Sequence, residues 1–341
     1  MQTKILCISG ARPNFMKLAP LIRAMQDDTA FDPILVHTGQ HYDDRMAGQF
    51  FRDLDMPQPA HNLEVGSGSH ACQTAEIMKR FEPVILSERP RAVLVVGDVN
   101  STVACALVAK KLLVPVIHVE AGLRSFDRSM PEEINRVVTD AISDLLLVTE
   151  ESGRRNLLAE GIAPHRIHLV GNLMIDSLRR NVETALQSGI DVHLGLNGRR
   201  FGLVTLHRPA NVDDPGQLRG ILGALADIAN SCPLYFPVHP RTRARIESMQ
   251  FSSASGLTLL EPLGYLDFLC LMSQSSIVFT DSGGIQEETT ALGIPCLTLR
   301  NNTERPVTVE EGTNILAGTT PESILQAWEQ MNANPKTGRV P

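Results

Sequence analysis

The sequence contains no uninterrupted apolar run of about 18 residues, the length that a membrane helix needs. It also contains no cluster of lysine and arginine interleaved with aromatic residues, and its formal net charge is −7. These features argue against a membrane protein and against nucleic acid as a main partner. Because the N-terminus, MQTKILCISG, is typical of a strand and not of a signal peptide, we expect a cytoplasmic protein.

Paired cysteine spacings are also missing, although the chain has six cysteines. Disulfide frameworks and cysteine-based metal sites depend on such spacings. Several of these cysteines lie in apolar runs, so we expect reduced thiols in the core and no metal site. The six are Cys7, Cys72, Cys105, Cys232, Cys270 and Cys296.

The length and composition of the chain are typical of a large globular protein. The 341 residues are 43% hydrophobic and 20% charged, which excludes a disordered or fibrous chain. This length suits roughly two domains of ~150 residues each.

Strand-like and helix-like segments alternate through the first half of the chain. Continuous apolar strands of this kind are typical of a parallel sheet covered by helices on both faces. The predicted strands are residues 4–9, 33–37, 92–96, 114–119 and 145–148.

A second series of alternating segments begins near residue 201, after a connecting helix predicted at residues 174–186. The sequence therefore predicts an α/β fold of two doubly wound Rossmann-like domains, residues 1–172 and 173–341, facing a central crevice. Ligands in such sheets lie beyond the carboxyl ends of the strands. The five strands predicted for the second series are residues 201–206, 234–238, 257–260, 277–280 and 296–299.

A buried strand, a glycine turn and a helix start are predicted in SIVFTDSGGIQEE, residues 276–288. The free N–H groups and the dipole of a helix N-terminus bind anions, and Ser282, Gly283 and Gly284 would let a phosphate approach the backbone. Glu288, one turn further along, could accept hydrogen bonds from two ribose hydroxyls. The alternative is a serine cap followed by a first-turn glutamate that favours the helix dipole. The residues alone leave both interpretations open.

Residues 66–71 fit the dinucleotide-binding pattern G-x-G-x-x-A. The candidate strand before them, residues 62–65, is short and begins with a polar residue, so we interpret the segment as a loop. No redox cofactor is predicted.

Three carboxylates follow successive strands or open the next helix of the first series: Asp98, Glu120 and Glu132. Acid/base chemistry needs carboxylates in different environments around one substrate, so their common position favours catalysis. The alternative is structural, with Asp98 as a helix cap, Glu132 as a first-turn dipole partner and Glu120 as a solvated loop residue.

In the second series, His207, His239 and Arg305 each follow a predicted strand. Arginine suits phosphate because its planar guanidinium donates paired hydrogen bonds. A single histidine at a strand end usually has a structural role, but here we expect all three side chains to face the same crevice as residues 282–288.

Nine motifs, in order, resemble the non-hydrolysing UDP-N-acetylglucosamine 2-epimerases. This resemblance runs from about residue 4 to residue 313. The motifs are GARPNFMKLAPL, TGQHYDDRM, VVGDVNST, HVEAGLRS, MPEEINR, VTLHRPANVDD, PVHPRTR, TDSGGIQEE and TERP.

The resemblance implies a glycosyltransferase-B-type fold with UDP held mainly by the C-terminal domain. It implies UDP-N-acetylglucosamine and UDP as ligands, a homodimer, and a reaction with no metal and no redox cofactor. In that family UDP is eliminated to give 2-acetamidoglucal and is then added back to the opposite face, which yields UDP-N-acetylmannosamine.

The resemblance also implies roles for individual residues. Asp98, Glu120 and Glu132 would share proton transfer, in an order that the motifs leave open. Arg12, His207 and Arg305 would stabilise the diphosphate, and Phe268 would border the uracil. Ser282, Gly283, Gly284 and Glu288 would hold phosphate and ribose, and further substrate contacts are expected from Lys17, Arg136 and His239.

The chain departs from the family pattern at several positions. Ala210-Asn211 stands where many members have Glu-Asn. Gln40-His41 resembles members with an allosteric substrate site, but Asp43 and Cys72 replace a glutamine and a basic residue, which argues against allosteric activation and leaves the existence of such a site open. Three alternatives remain: a UDP-sugar glycosyltransferase of the same fold, an epimerase for a differently substituted UDP-N-acetyl sugar, and a non-catalytic nucleotide-sugar sensor.

Overall fold

The computed structural model describes residues 2–10, 12–39, 54–251 and 256–336, with the side chains of the first helix from Asn14 onward. The chain divides into two compact units, Met1–Ser177 and Leu178–Pro341, here called unit 1 and unit 2. The division lies inside the helix Leu173–Leu186, which corresponds to the predicted connecting helix.

Unit 1 is built on one parallel sheet with helices between successive strands. The strands are β1 (Thr3–Ser9), β2 (Phe31–His37), β3 (His61–Asn62), β4 (Ala92–Val96), β5 (Val116–Ala121), β6 (Leu145–Val148) and β7 (Ile167–Leu169). The helices are α1 (Arg12–Asp27), α2 (His70–Glu88), α3 (Asn100–Lys111), α4 (Pro131–Ile142), α5 (Glu151–Ala159) and α6 (Leu173–Leu186). Within the described residues the strand order is β3-β2-β1-β4-β5-β6-β7.

Helices cover this sheet because its strands are apolar on both faces. All five residues of β4, Ala-Val-Leu-Val-Val, are buried. Ile77, Phe81 and Ile85 of α2 belong to the same core cluster as Leu6 and Val93 of the sheet. Their spacing of four residues places them on one side of the helix, which is the side that packs on the strands.

Unit 2 repeats this architecture. Its strands are β8 (Gly202–Thr205), β9 (Leu234–Pro237), β10 (Leu257–Leu260), β11 (Ile277–Thr280), β12 (Cys296–Thr298) and β13 (Asn314–Leu316). Its helices are α7 (Ile190–His193), α8 (Pro209–Val212), α9 (Pro215–Ala229), α10 (Pro240–Ser248), α11 (Tyr265–Gln274), α12 (Gly283–Leu292), α13 (Pro306–Glu310) and α14 (Pro321–Ala333). The strands are parallel, in the order β10-β9-β8-β11-β12-β13 over the part of unit 2 that is described.

The ten strands predicted from the sequence are confirmed, with small shifts at their ends. The expectation of five strands in the second series is wrong, because β13 adds a sixth to this sheet. The strands β3 and β7 were not predicted either. These three strands have only two or three residues each, too few to show a periodic pattern.

The interpretation of the G-x-G-x-x-A segment as a loop is confirmed up to the start of α2. Ser69 caps this helix by accepting a hydrogen bond from the backbone N–H of Cys72, at 3.3 Å. The strand β3 before the segment has two residues. A Rossmann fingerprint joins a longer strand directly to its helix, so the segment lacks that context.

The cysteines are free thiols, and five of the six are buried. Cys72 is exposed, so the expectation of a core thiol is wrong for this residue. Within residues 2–336, apart from the gaps given above, no helix is long and apolar enough to cross a membrane.

The strand order reverses between β1 and β4 in unit 1, and between β8 and β11 in unit 2. At such a switch point the connections leave on opposite faces of the sheet, which opens a crevice beyond the carboxyl ends of the two strands. In unit 1, β4 leads into Gly97 and Asp98. In unit 2, β8 and β11 lead towards His207 and Asp281. Functional side chains are therefore expected at these two edges.

Candidate active site

Glu120 lies near the carboxyl end of β5, where the register with β6 shifts between Val119 and Ala121. Its φ is +69°, a left-handed conformation that residues with a side chain rarely adopt. The Glu120 carboxylate is buried and forms an ion pair with Lys17 Nζ. The alternative of a solvated loop residue is therefore wrong.

Gly97 leaves room for this ion pair. A Cβ atom on Gly97 would lie 3.3 Å from Glu120 Oε2 and 3.5 Å from Lys17 Nζ. Its φ of +68° also favours glycine. Because Gly97 directly precedes Asp98, the loop after β4 brings the backbone of Asp98 to the same edge of the sheet as Glu120 and Lys17.

The carboxylate of Asp98 accepts a hydrogen bond from Arg136 Nη2, and its side chain is 34% exposed. The N-cap position of α3 is occupied by Val99, which makes no side-chain cap. The alternative of Asp98 as a helix cap is therefore wrong. Arg136, predicted to contact substrate, is buried and pairs with Asp98 and with Glu133.

Two adjacent glutamates open α4, and their environments differ. Glu133 is buried and accepts hydrogen bonds from Ser125 N and Oγ (both 2.9 Å), Phe126 N (3.0 Å) and Arg136 Nη1 (2.9 Å). Glu132 is partly exposed and takes part in none of these bonds. It lies one helical turn before Arg136, on the same side of α4. Glu133 therefore supports the loop before α4, and Glu132 is the glutamate that remains accessible.

A buried pair in unit 1, His118 and Asp140, was not singled out by the sequence. Their side chains are fully buried, and His118 Nδ1 lies 2.6 Å from Asp140 Oδ1. Asp140 also pairs with Arg124, at 2.7 Å. Burial by itself would raise the pKa of Asp140, but the positive charges of His118 and Arg124 outweigh it and lower that pKa.

In unit 2, the imidazole of His207, which follows β8, contacts the carboxylate of Asp281, which follows β11. The Asp281 carboxylate is fully buried and lies 2.9 Å from His207 Nδ1. It accepts hydrogen bonds from the backbone N–H groups of His207 (3.1 Å) and Arg208 (3.0 Å), and from Asn211 Nδ2 (3.2 Å). Burial alone would raise the pKa of Asp281, but His207 and the backbone donors lower it. An anionic Asp281 therefore orients His207, whose side chain is 57% exposed.

The N-terminus of α12 carries the predicted phosphate site. Ser282 occupies the N-cap position, but its side chain makes no capping hydrogen bond to any described residue. The alternative of a serine cap is therefore wrong. The residues Ser282, Gly283 and Gly284 are partly accessible. A Cβ atom on Gly283 would overlap Glu304 Oε1, so glycine is needed at this position for the two segments to pack.

Glu288 lies in the second turn of α12, and this helix has no acidic residue in its first turn. The alternative of a first-turn glutamate is therefore wrong. The side chain is buried, and Oε1 has no hydrogen-bond partner among the described residues. Burial, with a smaller contribution from the charge of Glu287, raises the pKa of Glu288 to about 8. A buried acceptor without a protein partner is suited to a ligand that donates hydrogen bonds.

A buried charge network lies beside the N-terminus of α12. Glu304 pairs with Arg300 at 2.8 Å and with Arg208 at 3.3 Å. Burial alone would raise the pKa of Glu304, but these arginines and Arg305 hold it well below its usual range. Arg305 is buried, with Nε 2.9 Å from Glu287 Oε1. Glu304 therefore lies between Arg208, the residue after the exposed His207, and Gly283, which leaves space for the Glu304 carboxylate.

The other predicted residues are less informative. His239 Nδ1 accepts a hydrogen bond from the backbone N–H of Arg241 at 3.3 Å, so this nitrogen caps α10. Phe268 is partly buried on α11. The Arg12 side chain, and Gln40, His41 and Asp43, lie outside the described residues. No group of three metal-binding side chains was found in the ranges that the structure describes.

The chain is similar to known proteins over nearly its whole length. The family model for UDP-N-acetylglucosamine 2-epimerase matches residues 23–340. The chain is 44% identical, over 338 residues, to UDP-N-acetylglucosamine 2-epimerase of Methanocaldococcus jannaschii, covering 96% of this chain and 92% of that protein. It is 42% identical, over 328 residues, to UDP-2,3-diacetamido-2,3-dideoxy-D-glucuronate 2-epimerase of Pseudomonas aeruginosa, covering 95% of this chain and 91% of the other.

The fold is similar to a solved structure of the same kind. The crystal structure of the M. jannaschii UDP-GlcNAc 2-epimerase in complex with UDP-GlcNAc and UDP matches with a TM-score of 0.94 and 42% identity, covering 99% of this chain and 95% of that one. The α/β fold is therefore of the glycosyltransferase-B type, as the motifs predicted. On the strength of the family match and of these relatives, the chain belongs to the non-hydrolysing UDP-N-acetylglucosamine 2-epimerase family.

Proposed function

We propose that the protein inverts carbon 2 of UDP-N-acetylglucosamine to give UDP-N-acetylmannosamine. The observation that supports this most directly is the edge of unit 1 where Asp98, Glu120 and Glu132 occupy three different environments. Glu120 is buried beside Lys17, Asp98 is paired with Arg136 and partly exposed, and Glu132 is accessible. Proton transfer to and from one carbon on two faces needs carboxylates that differ in this way.

The proposed reaction has two halves. In the first, a carboxylate removes the proton from carbon 2, and the bond between carbon 1 and the UDP oxygen breaks to give 2-acetamidoglucal and UDP. In the second, the UDP oxygen forms a bond to carbon 1 again, and a proton is delivered to carbon 2 from the opposite face. The three carboxylates share these two proton transfers, and the ion pairs of Asp98 and Glu120 hold their side chains in place.

Unit 2 is proposed to bind UDP. The N-terminus of α12, with Ser282, Gly283 and Gly284, offers backbone N–H groups and the positive end of a helix dipole to the diphosphate. Glu288 would accept hydrogen bonds from the two ribose hydroxyls, and Phe268 would border the uracil.

The departing UDP also needs its charge to be neutralised. Because Asp281 holds Nδ1 of His207, a doubly protonated ring would direct its Nε2–H to the leaving diphosphate as a donor. Arg12 and Arg305 would add positive charge there.

A second candidate substrate is a UDP-N-acetyl sugar with a second acetamido group on carbon 3 and a carboxylate at carbon 6. The observation behind it is that the P. aeruginosa relative, which is named for UDP-2,3-diacetamido-2,3-dideoxy-D-glucuronate, is 42% identical to this chain, close to the 44% of the M. jannaschii enzyme. Both substrates would use the same proton chemistry at carbon 2.

The test is incubation with each UDP-sugar in deuterated water, followed by NMR. We expect deuterium at carbon 2 and the appearance of the manno isomer with UDP-N-acetylglucosamine. Exchange only with the diacetamido-glucuronate substrate would assign the second candidate. Absence of carbon 2 exchange with both substrates would exclude both sugars as substrates and would contradict the proposed function.

A further inference from the structure

His118 and Asp140 have no part in the proton transfers described above. They nevertheless contact the backbone next to Asp98 and the backbone next to Glu120. His118 Nε2 lies 2.8 Å from the carbonyl oxygen of Gly97, the residue before Asp98. Asp140 Oδ2 accepts a hydrogen bond from the backbone N–H of Gly122, two residues after Glu120, at 3.0 Å. One buried pair therefore connects the two backbone segments that carry Asp98 and Glu120.

These two segments need external support because their backbone conformations are uncommon. Glu120 has φ of +69° although it carries a side chain, and it lies where the register of β5 and β6 shifts. Residues held in this region persist when the surrounding structure fixes them. The N–H of Gly97 also donates to the carbonyl oxygen of Val119, at 3.1 Å, so the two segments are in direct contact as well.

The pair is itself held rigidly. Both ring nitrogens of His118 face an acceptor oxygen, and the ring donates to both at once only when it is doubly protonated. Asp140 also pairs with Arg124, which in turn pairs with Glu160 through Nε at 2.8 Å and Nη2 at 2.6 Å. Asp140 is thus held from two sides, by His118 and by Arg124, and Glu160 holds Arg124 in turn.

We propose that His118 and Asp140 are positioning residues that hold Asp98 and Glu120 at the separation required for proton transfer at carbon 2. They do this through the carbonyl of Gly97 and the N–H of Gly122, without touching the substrate. This inference rests on the proposed function, because it assigns the pair a role in the same reaction. A displacement of about 1 Å at a catalytic group can lower a rate by roughly 100-fold, so loss of the pair should lower turnover more than it weakens binding.

The test compares Asp140→Asn and His118→Gln with Ile77→Ala, a control at a buried α2 residue of the core cluster to which neither His118 nor Asp140 belongs. Asp140→Asn keeps the size of the side chain but removes the charge that His118, Arg124 and Gly122 share. We expect turnover per UDP-binding site to fall roughly tenfold or more in both variants, with KM changed by less than about threefold. Ile77→Ala should leave turnover per UDP-binding site within about twofold of the parent protein.

Counting UDP-binding sites by calorimetry separates positioning from folding. A merely structural role would lower the number of binding sites and leave the turnover of each one unchanged. Turnover per site within fivefold of the Ile77→Ala value would overturn the inference. Complete loss of UDP binding in both variants would also overturn it, since the pair would then be a folding element.

Hydrogen exchange, measured by mass spectrometry, tests the placement independently of any substrate. In Asp140→Asn, exchange should become faster in peptides that cover residues 97–98 and 120–122, while the α2 segment keeps its protection. Equal protection of those peptides in the variant and the parent would contradict the inference. Should the parent protein show no epimerisation, the proposed function would fail, and this exchange measurement would still decide whether the pair holds the two segments.

Discussion

The carboxylate of Asp281 lies 2.9 Å from Nδ1 of His207, at the ends of two neighbouring strands. The aspartate is fully buried and the histidine side chain is more than half exposed. A buried anion that holds one ring nitrogen fixes both the orientation of the ring and the position of its proton. With Nδ1 held in this way, Nε2 of His207 would donate to a leaving diphosphate when the ring is doubly protonated.

Asp281→Asn should lower turnover by roughly 100-fold, the scale of a lost acid/base contribution, because the amide no longer favours a proton on Nδ1 of His207. The matched control is Glu88→Gln, which alters another histidine–carboxylate pair, His61 with Glu88 at 2.8 Å, away from both sites. Steady-state assays of both variants, with melting temperatures, provide the comparison. Similar turnover in the two variants would count against the role of Asp281.

Glu132 and Glu133 are neighbours with opposite expected effects. Glu132→Gln should lower turnover by roughly 100-fold with little change in stability, because this carboxylate is accessible and outside the buried network. Glu133→Gln should lower the free energy of unfolding by about 1–3 kcal/mol, because buried donors from Ser125, Phe126 and Arg136 lose a charged acceptor. Denaturant unfolding and turnover would be measured for both variants. Reversal of the two patterns would show that Glu133 is the catalytic glutamate.

Gly97→Ala should reduce turnover roughly tenfold, because the new methyl group would lie 3.3 Å from Glu120 Oε2 and press on its contact with Lys17. The control is Gly198→Ala, since Gly198 has nearly the same φ, +70°, and no atom within 4 Å of the added Cβ. Each variant should lose about 1–2 kcal/mol of stability from the left-handed conformation. Equal turnover in the two variants would mean that the crowding of Glu120 has no effect on catalysis.

Glu288 should make both stability and nucleotide binding depend on pH. Its pKa in the folded chain, about 8, is above the ordinary value of 4.5, so the folded state binds this proton more tightly than the unfolded state. The stabilisation that comes from this difference in pKa is fully present below pH 4.5 and is lost as the pH rises through 8. Between pH 4.5 and pH 8, the melting temperature of Glu288→Gln should therefore fall less than that of the parent protein.

Binding of the ribose should favour the ionised form of Glu288, because the hydroxyls donate to it. Uridine binding at pH 6.5 should then release protons, and this release should disappear in Glu288→Gln. Calorimetry in two buffers of different ionisation enthalpy measures the proton release, and uridine avoids the titration of the diphosphate. The same release in the parent protein and in Glu288→Gln would remove Glu288 from the ribose site.

The two doubly wound units could be recognised from the sequence because their main strands are buried on both faces. Segments such as Ala-Val-Leu-Val-Val in β4 and Ile-Val-Phe-Thr in β11 form short apolar runs that stand out between helical segments. The short strands β3, β7 and β13 gave no such pattern, since their pairing depends on neighbours that are already in place. The nine motifs also located Asp98, Glu120, Glu132, His207 and residues 282–288, in the order of the family.

The partners of these residues depended on the tertiary structure. Glu120 pairs with Lys17 across 103 positions of sequence, and His207 and Asp281 are 74 positions apart. Strand order, which local sequence does not encode, decides that β4 lies beside β5 and that β8 lies beside β11. Local sequence does not encode burial either. Burial distinguishes Glu133 from Glu132, and it raises the pKa of Glu288. Residue type and local pattern thus identified the groups capable of the chemistry, and the packing of distant segments determined which of them are charged, held or accessible.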